Sequence, residues 1–219
     1  MSNPTIFEQC FACLMVHEVD ADPRDPKCWS GGAVGAGRFL APDDGIDMSR
    51  EDSGNWTGGA VGVGTLGGTR WGIDTASYQD ALKHLPPVLR PRFPALVKDL
   101  TLDQARDLTW YAYWKPCRCD DLAPPVALIT LDASFNNGPG EATRWLQTAV
   151  DTIVDGACGD GTVAAVTKAV ARSSANMVAS FALAERINYM ARLPGWRIDG
   201  HGWSRRLALL PFQAAALLT

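Results

Sequence analysis

The segment IFEQCFACLMVHEVDADPRDP, residues 6–26, begins with an apolar run that ends abruptly. Within the run, apolar side chains recur at the three- and four-residue spacing of an α-helix. Asp and Pro residues follow from Asp20 to Pro26 and end the pattern, because proline cannot continue a helix and aspartate favours turns. We expect a first helix that ends near Glu18, with the carboxyl group of this residue at the start of a loop.

The region after this helix is rich in glycine and contains a tandem repeat. DPKCWSGGAVGAGRFLAPDDGIDMSRE at residues 25–51 and DSGNWTGGAVGVGTLGGTRWGIDTASY at residues 52–78 share the pattern D-x3-W-x-GGAVG-x-G-x7-GID. The shared pattern indicates a local duplication, whereas a solenoid needs about three copies or more. Because Gly and Asp are so frequent, we expect loops and short hairpins over residues 19–75.

The remainder of the chain has mostly helical patterns, separated by Pro and Gly breaks. We expect helices around 77–84, 101–114, 123–136, 139–151, 159–170, 173–193 and 202–213. An apolar helix, a Gly-rich loop and hairpin region and a helical body together predict an α+β fold that is mostly α. We expect a catalytic part over residues 1–130 and a helical C-terminal lobe over residues 131–219.

The composition excludes several classes of protein. The hydrophobic fraction of 47% and the charged fraction of 20% are typical of a water-soluble globular protein. A net charge of -4 argues against a dedicated nucleic-acid binder. No apolar run approaches the ~18 residues of a membrane helix, and the N-terminus lacks the pattern of a secretory signal. We therefore expect no membrane insertion, and synthesis in the cytoplasm without a cleavable signal.

The motifs also argue against a metal site and against a nucleotide site. Cys10, Cys13, Cys117 and Cys119 could together form a four-thiolate zinc site, but the first two lie in an apolar helical pattern where buried cysteines are common. The Gly-rich strings lack the Gly-Lys-Ser/Thr ending of a phosphate loop. We expect no metal and no cofactor.

Several ordered motifs resemble glycoside hydrolase family 108, the lysozyme-like muramidases of phage endolysins and bacterial secretion-activator proteins. They are a Glu at the end of the first helix (Glu18), an Asp-Pro-rich loop at 22–26 with its duplicate at Asp52, and GTRWGI at 68–73. The similarity continues through LTLDQARDLTWYAYWKP at 100–116, LDASFNNGPGEATRWLQ at 131–147, DTIVDGACGDGT at 151–162 and HGWSRR at 201–206. The last segments are similar to the family's C-terminal peptidoglycan-binding segment, and the resemblance implies a lysozyme-like fold.

The resemblance implies hydrolysis of the β-1,4 bond between N-acetylmuramic acid and N-acetylglucosamine, with Glu18 as the general acid. The glycosidic oxygen leaves only when it is protonated, and partial burial raises the pKa of a carboxyl group so that it can still donate a proton near neutral pH. The chain departs from the family at Val19-Asp20-Ala21, where Gly-Gly-Tyr is usual.

The resemblance also implies a second carboxylate from the Asp-rich loop and a Thr that positions water. Thr69 takes the Thr role, because the first copy of the repeat has Pro42 at the paired position. The carboxylate could come from Asp52 or Asp25, and we prefer Asp52 because its copy retains the Thr. Asp20 and Asp22 are less favoured candidates.

Four further residues are candidates for substrate binding. Trp71 and Tyr113 could stack on sugar rings, although aromatic residues at helical spacing are often part of a core. Asn136 and Asn137 could hold N-acetyl groups, although Asn-Asn-Gly is also an ordinary signal for the end of a helix. Both interpretations stay open at this point.

Two alternatives to a muramidase follow from the same residues. A lytic transglycosylase would use Glu18 alone, and a non-catalytic peptidoglycan-binding protein would result if Val19-Asp20 and the duplication had disabled the site. In each case we expect peptidoglycan glycan strands as the partner, a monomeric protein, and action in the periplasm or on the cell wall after holin-type release.

Overall fold

The computed structural model contains two compact units, Met1–Ala112 and Tyr113–Thr219. The boundary that we expect after residue 130 falls inside a helix of the second unit, Pro124–Asn137. In the part of the chain that the structure describes, no helix is both long and apolar enough to cross a membrane. That part consists of residues 5–41 and 45–217.

The first unit combines three α-helices with a small antiparallel sheet. In chain order the elements are α1 Ile6–Glu18, β1 Ile46–Asp47, β2 Thr69–Arg70, β3 Ile73–Asp74, α2 Thr75–Lys83 and α3 Leu102–Leu108. Short 3-10 helices lie at Pro26–Cys28, Ser53–Asn55, Arg90–Arg92 and Val97–Asp99. The first helix ends at Glu18, as its sequence pattern predicts, and loops with short strands follow it.

Helix α1 is fixed at its N-terminal end and along its buried face. The Thr5 side chain caps its N-terminus by accepting a hydrogen bond from the backbone N–H of Glu8, at 3.2 Å. The Glu8 carboxylate forms an ion pair with Arg106 at 3.2 Å. The largest apolar side chains of its buried face are Phe7, Cys10, Phe11, Leu14 and Met15. This packing holds the C-terminal residue, Glu18, at a defined place on the first unit.

The two copies of the repeat fold into the same local structure. In each copy an Asp caps a 3-10 helix, and the Trp that follows forms an isolated antiparallel bridge, Trp29 with Phe39 and Trp56 with Leu66. The indole Nε1 of Trp29 donates to a backbone carbonyl six residues earlier, at 2.8 Å, and that of Trp56 does the same at 3.0 Å. The duplication is therefore structural as well as sequential.

The sheet joins strands from both copies in the order β1-β2-β3. Its register pairs Thr69 with Asp47 on one side and with Asp74 on the other. The β2–β3 hairpin turns through Trp71 and Gly72, whose φ angles of 56° and 74° are of the kind that a two-residue hairpin loop requires. The first copy thus supplies the edge strand β1 of the sheet.

The second unit is helical. Its α-helices are α4 Pro124–Asn137, α5 Pro139–Ala149, α6 Asp160–Arg172, α7 Ala175–Met190 and α8 Trp196–Ala216. Helix α4 is buried over most of its length and packs against α5, α7 and α8. A π-helix, Thr109–Trp114, precedes the bundle, where the sequence pattern predicts an unbroken α-helix. The predicted mostly-α α+β class is confirmed.

An ion cluster lies in the core of the second unit. Asp132 is fully buried and accepts hydrogen bonds from the guanidinium groups of Arg186 and Arg206, the former at 2.5 Å and the latter at 2.6 Å. Burial raises the pKa of Asp132, but attraction by Arg206 and Arg186 and their hydrogen bonds outweigh it and lower this pKa to about 2. The cluster ties α4 to α7 and α8.

Candidate active site

An open cleft of about 470 Å³ lies in the first unit, where α1 ends beside the three-stranded sheet. The predicted catalytic residues Glu18, Asp52 and Thr69 all line it. Its remaining lining residues are Val19, Gly45, Ile46, Asp47, Gly72 and Asp74. The cleft therefore brings together three residues that are up to 51 positions apart in the sequence, Glu18 and Thr69 being the most distant.

Glu18 is the last residue of α1, and its carboxyl group packs directly against a glycine of the β2–β3 hairpin. Its Oε1 atom is buried. A Cβ atom added to Gly72 would lie 2.5 Å from the Glu18 Oε2 and 2.8 Å from its Cδ and Cγ. Such distances are too short for any real contact, so the absence of a side chain at Gly72 creates the space that the carboxyl group occupies.

The residues after Glu18 depart from the family's Gly-Gly-Tyr, and the backbone accommodates them. Val19 has φ of -137°, which any residue adopts, whereas Asp20 has φ of 53°. The left-handed region disfavours most side chains but admits Asp more readily than most. The Val19 side chain is buried against Gly45, where an added Cβ would lie 2.4 Å from its Cγ1. The turn after the helix thus forms without glycine.

Three polar side chains form a row across the sheet. Thr69 is paired on both sides, with Asp47 of β1 and Asp74 of β3, and directly paired residues in antiparallel strands point to the same face. One oxygen of Asp47 accepts the N–H of Ser49 at 2.8 Å, and one of Asp74 accepts the N–H of Ser77 at 2.7 Å. Sequence reasoning did not single out these two carboxylates, although both end a repeated Gly-Ile-Asp.

The paired residues Asp52 and Asp25 have the same local structure but different surroundings. Each caps a 3-10 helix through a backbone N–H two residues later, at 2.8 Å for Asp52 and 2.9 Å for Asp25. Of the two, Asp52 lines the cleft and Asp25 does not. Asp20 and Asp22 are also outside the lining, and Asp22 forms an exposed ion pair with Arg24.

Thr69 is held by a residue that sequence reasoning missed. Its hydroxyl donates a hydrogen bond to the amide Oδ1 of Asn55 at 2.7 Å. Asn55 is 0% exposed, and its amide nitrogen donates to the Ser49 carbonyl at 2.9 Å. The only signal for Asn55 in the sequence is that the paired position of the first copy holds Cys28 instead. The paired position for Thr69, Pro42, lies outside the described residues.

The candidate substrate residue Trp71 belongs to the core. It is only 5% exposed, and its indole nitrogen donates to the carbonyl of Leu100 at 2.8 Å. The guanidinium group of Arg70 also lies 5.4 Å from its ring centroid. This burial leaves almost no ring surface on which a sugar could stack, so the structure favours the core interpretation of Trp71.

The other candidate substrate residues lie in the second unit. The Tyr113 ring packs against Phe135, with centroids 5.0 Å apart. Asn136 is exposed, and its amide nitrogen donates to the Asp132 carbonyl at 2.9 Å. The amide oxygen of Asn137 accepts a hydrogen bond from Arg186 at 3.1 Å. Asn137 thus supports the buried ion cluster.

Side chains that could ligate a metal ion are not clustered in the part of the chain that the structure describes. No group of three or more His, Cys, Asp or Glu side chains there could hold a metal ion. The six cysteines, all among the described residues, form no disulfide with one another, and burial raises the pKa of Cys10 well above its ordinary value.

Comparison with known proteins finds one matching family model and a similar solved structure. Residues 41–138 match the family model of glycosyl hydrolase 108, a segment that includes Asp52 and Thr69 and begins after Glu18. A solved structure of Brucella abortus SagA is 28% identical, with a TM-score of 0.58, over 69% of this chain and 82% of that chain. No curated protein matches the chain significantly.

These findings confirm the resemblance to glycoside hydrolase family 108 and the lysozyme-like fold class. They support a glycoside hydrolase of the general class that hydrolyses peptidoglycan.

Proposed function

We propose that the protein is an endolysin-type muramidase that hydrolyses the β-1,4 bond between N-acetylmuramic acid and N-acetylglucosamine. The observation that supports this most strongly is the cleft lined by Glu18, Asp52 and Thr69, the last two of which lie in the segment that matches the glycosyl hydrolase 108 model. A carboxylic acid and a second carboxylate are the side chains that hydrolysis of a glycosidic bond by water commonly uses, and a hydroxyl group beside them can hold the water.

In the proposed reaction, Glu18 donates its proton to the glycosidic oxygen as the bond from this oxygen to the anomeric carbon breaks. A water molecule attacks the anomeric carbon, and its proton passes to the carboxylate of Asp52. Thr69 holds this water in place. The products are two shorter glycans, one with a new reducing end; Asp52 then releases its proton to solvent and Glu18 takes one up from it. Each carboxylate changes its charge once, so the cleft is restored after one proton exchange.

The helical second unit is proposed to bind the glycan strand of peptidoglycan outside the reacting bond. Among its candidate residues, Asn136 is exposed and Tyr113 is half-buried, so both retain surface for a sugar. Asn137 is a weaker candidate, because its amide oxygen already accepts a hydrogen bond from Arg186. We propose that the protein acts as a monomer on the cell wall, where this substrate lies.

The two alternatives lose support from the same geometry. A transglycosylase needs no second carboxylate or water-holding hydroxyl, yet Asp52 and Thr69 line the cleft with Glu18. A disabled site was suggested by Val19-Asp20 and the duplication, but Asp20 adopts the left-handed turn and the duplication adds a strand to the sheet.

The test is the Glu18→Gln variant, which keeps the size of the side chain and removes the acid. Loss of turbidity of a suspension of purified peptidoglycan is measured for the wild type and the variant, with thermal unfolding followed by circular dichroism. We expect a loss of at least about 100-fold in rate without loss of the fold. Glu51→Gln, the same change at an exposed position, is the control. Equal rates for Glu18→Gln and the wild type would refute the proposal.

A further inference from the structure

We propose that Asn55 is a positioning residue that turns the hydroxyl group of Thr69 so that this group can only accept hydrogen bonds in the cleft. The inference rests on the proposed muramidase function and adds a residue that is not part of the cleft lining. It also gives the first copy of the repeat a role in the site, through Asp47 and Ser49.

The orientation of the Asn55 amide is fixed by its neighbours. The amide nitrogen donates to the Ser49 carbonyl at 2.9 Å and lies 3.4 Å from the Oδ2 of Asp47. Both partners are acceptors only, so the NH2 group must face them and the carbonyl oxygen must face Thr69. The residue is fully buried, so water cannot compete for these bonds.

The direction of the Thr69 hydroxyl follows from this orientation. An amide oxygen cannot donate, so the 2.7 Å bond between Thr69 Oγ1 and Asn55 Oδ1 uses the one proton of the hydroxyl. Only lone pairs remain to face the cleft. A water molecule bound there must donate one O–H to Thr69, and its second O–H is free for the Asp52 carboxylate. The water's own lone pair is then free to attack the sugar.

Asn55 also fixes the backbone on both sides of the site. Its carbonyl accepts the N–H groups of Gly67 and Gly68, at 2.9 Å and 3.1 Å, immediately before Thr69. Its own N–H donates to the carbonyl of Asp52 at 3.3 Å. A single buried residue therefore links the proposed base to the proposed water-holding hydroxyl.

The first copy shows that the amide is not needed to build this backbone. Cys28 occupies the paired position, donates its N–H to the Asp25 carbonyl at 2.9 Å, and accepts the N–H of Leu40 at 2.6 Å. These are the bonds that Asn55 makes with Asp52 and Gly67. The same scaffold forms with a thiol in the first copy, which lacks the Thr, so the amide in the second copy serves Thr69 rather than the fold.

A double-mutant cycle tests the proposal with the full-length enzyme and soluble glycan strands freed of peptide. Asn55→Cys, which installs the side chain of the first copy, is combined with Thr69→Ala. We expect Asn55→Cys to lower kcat by about 10- to 100-fold with little change in KM. In the Thr69→Ala background it should lower kcat no further, because it acts through the hydroxyl. Independent, multiplying losses would overturn the proposal.

A second variant separates polarity from stability. Asn55→Asp keeps an oxygen that accepts the Thr69 hydroxyl but places a carboxyl group near Asp47. We expect it to retain most of kcat while its unfolding temperature falls, and a kcat as low as that of Thr69→Ala would overturn the proposal even if Asn55→Cys did not fold. Wild-type enzyme that releases no reducing ends would instead refute the muramidase function itself, whatever the Asn55 variants do.

Discussion

Gly72→Ala is predicted to inactivate the enzyme by displacing the proposed acid. The new Cβ would lie 2.5 Å from the Glu18 Oε2 and 2.8 Å from its Cδ and Cγ, whereas ordinary contact begins at 3.4 Å. The carboxyl group must therefore move by roughly 0.6–0.9 Å, and a displacement of ~1 Å can cost about 100-fold in rate. We expect kcat to fall by about 10- to 100-fold. Alanine at φ of 74° also costs about 1–2 kcal/mol of stability.

Gly62→Ala is the matched control for this prediction. Gly62 has φ of 78°, so alanine suffers the same backbone strain, but nothing lies within 4 Å of the added Cβ. Both variants should lose similar stability in urea unfolding, and only Gly72→Ala should lose turnover on soluble glycan strands. If the two variants were equally active, close packing of Gly72 on Glu18 would not position the acid, and the reasoning would be refuted.

Two further predictions concern the second carboxylate and the buried ion cluster. Asp52→Asn should lower kcat by about 100-fold or more, while Asp25→Asn, which changes the same kind of cap, should leave it nearly unchanged; the reverse order would assign the base to the first copy. The pKa of Asp132 is lowered from 3.8 to about 2. The ionised carboxyl group therefore contributes fully to the stability of the fold at pH values above 3.8, and this contribution is lost as the pH falls towards 2. In urea unfolding, the free energy of unfolding of the wild type should fall by an amount on the order of 2 kcal/mol across this pH range. Asp132→Asn should lack this fall, and the same fall in the variant would contradict the prediction.

The sequence located the proposed acid because its signal is local. An apolar helical run followed by Asp and Pro breaks places Glu18 at a helix end, and the structure ends α1 at that residue. The copy of the repeat that retains Thr69 also contains the Asp that lines the cleft. These features depend on short-range patterns, which a single sequence displays directly.

The residues that the sequence did not single out depend on pairing between distant strands. Asp47 and Asp74 flank Thr69 only because of the β1-β2-β3 register, and no spacing in the chain encodes that register. Asn55 is a buried amide whose NH2 group finds its partners, Ser49 and Asp47, in the other copy. Trp71 was a candidate for stacking on sugars because the sequence around it does not reveal its burial. That burial arises from contact with Leu100, 29 positions later.

The limits of helix prediction have a similar origin. Helix α8 extends over Trp196–Ala216, well beyond the predicted 202–213, and includes two glycines that usually disfavour helices. A Cβ atom added to one of them, Gly200, would lie 3.3 Å from the ring of Trp196. This ring packs against that of Trp203, with ring centroids 6.0 Å apart. The propensities of single residues therefore did not predict the first turns of this helix.

The most direct test of the proposed chemistry is mass spectrometry of the fragments that the wild-type enzyme releases from purified peptidoglycan. Hydrolysis through Glu18, Asp52 and water predicts fragments that end in reducing N-acetylmuramic acid and incorporate heavy oxygen from labelled water. Fragments that end in 1,6-anhydro-N-acetylmuramic acid, lighter by one water and without label, would contradict a muramidase and assign the cleft to a transglycosylase.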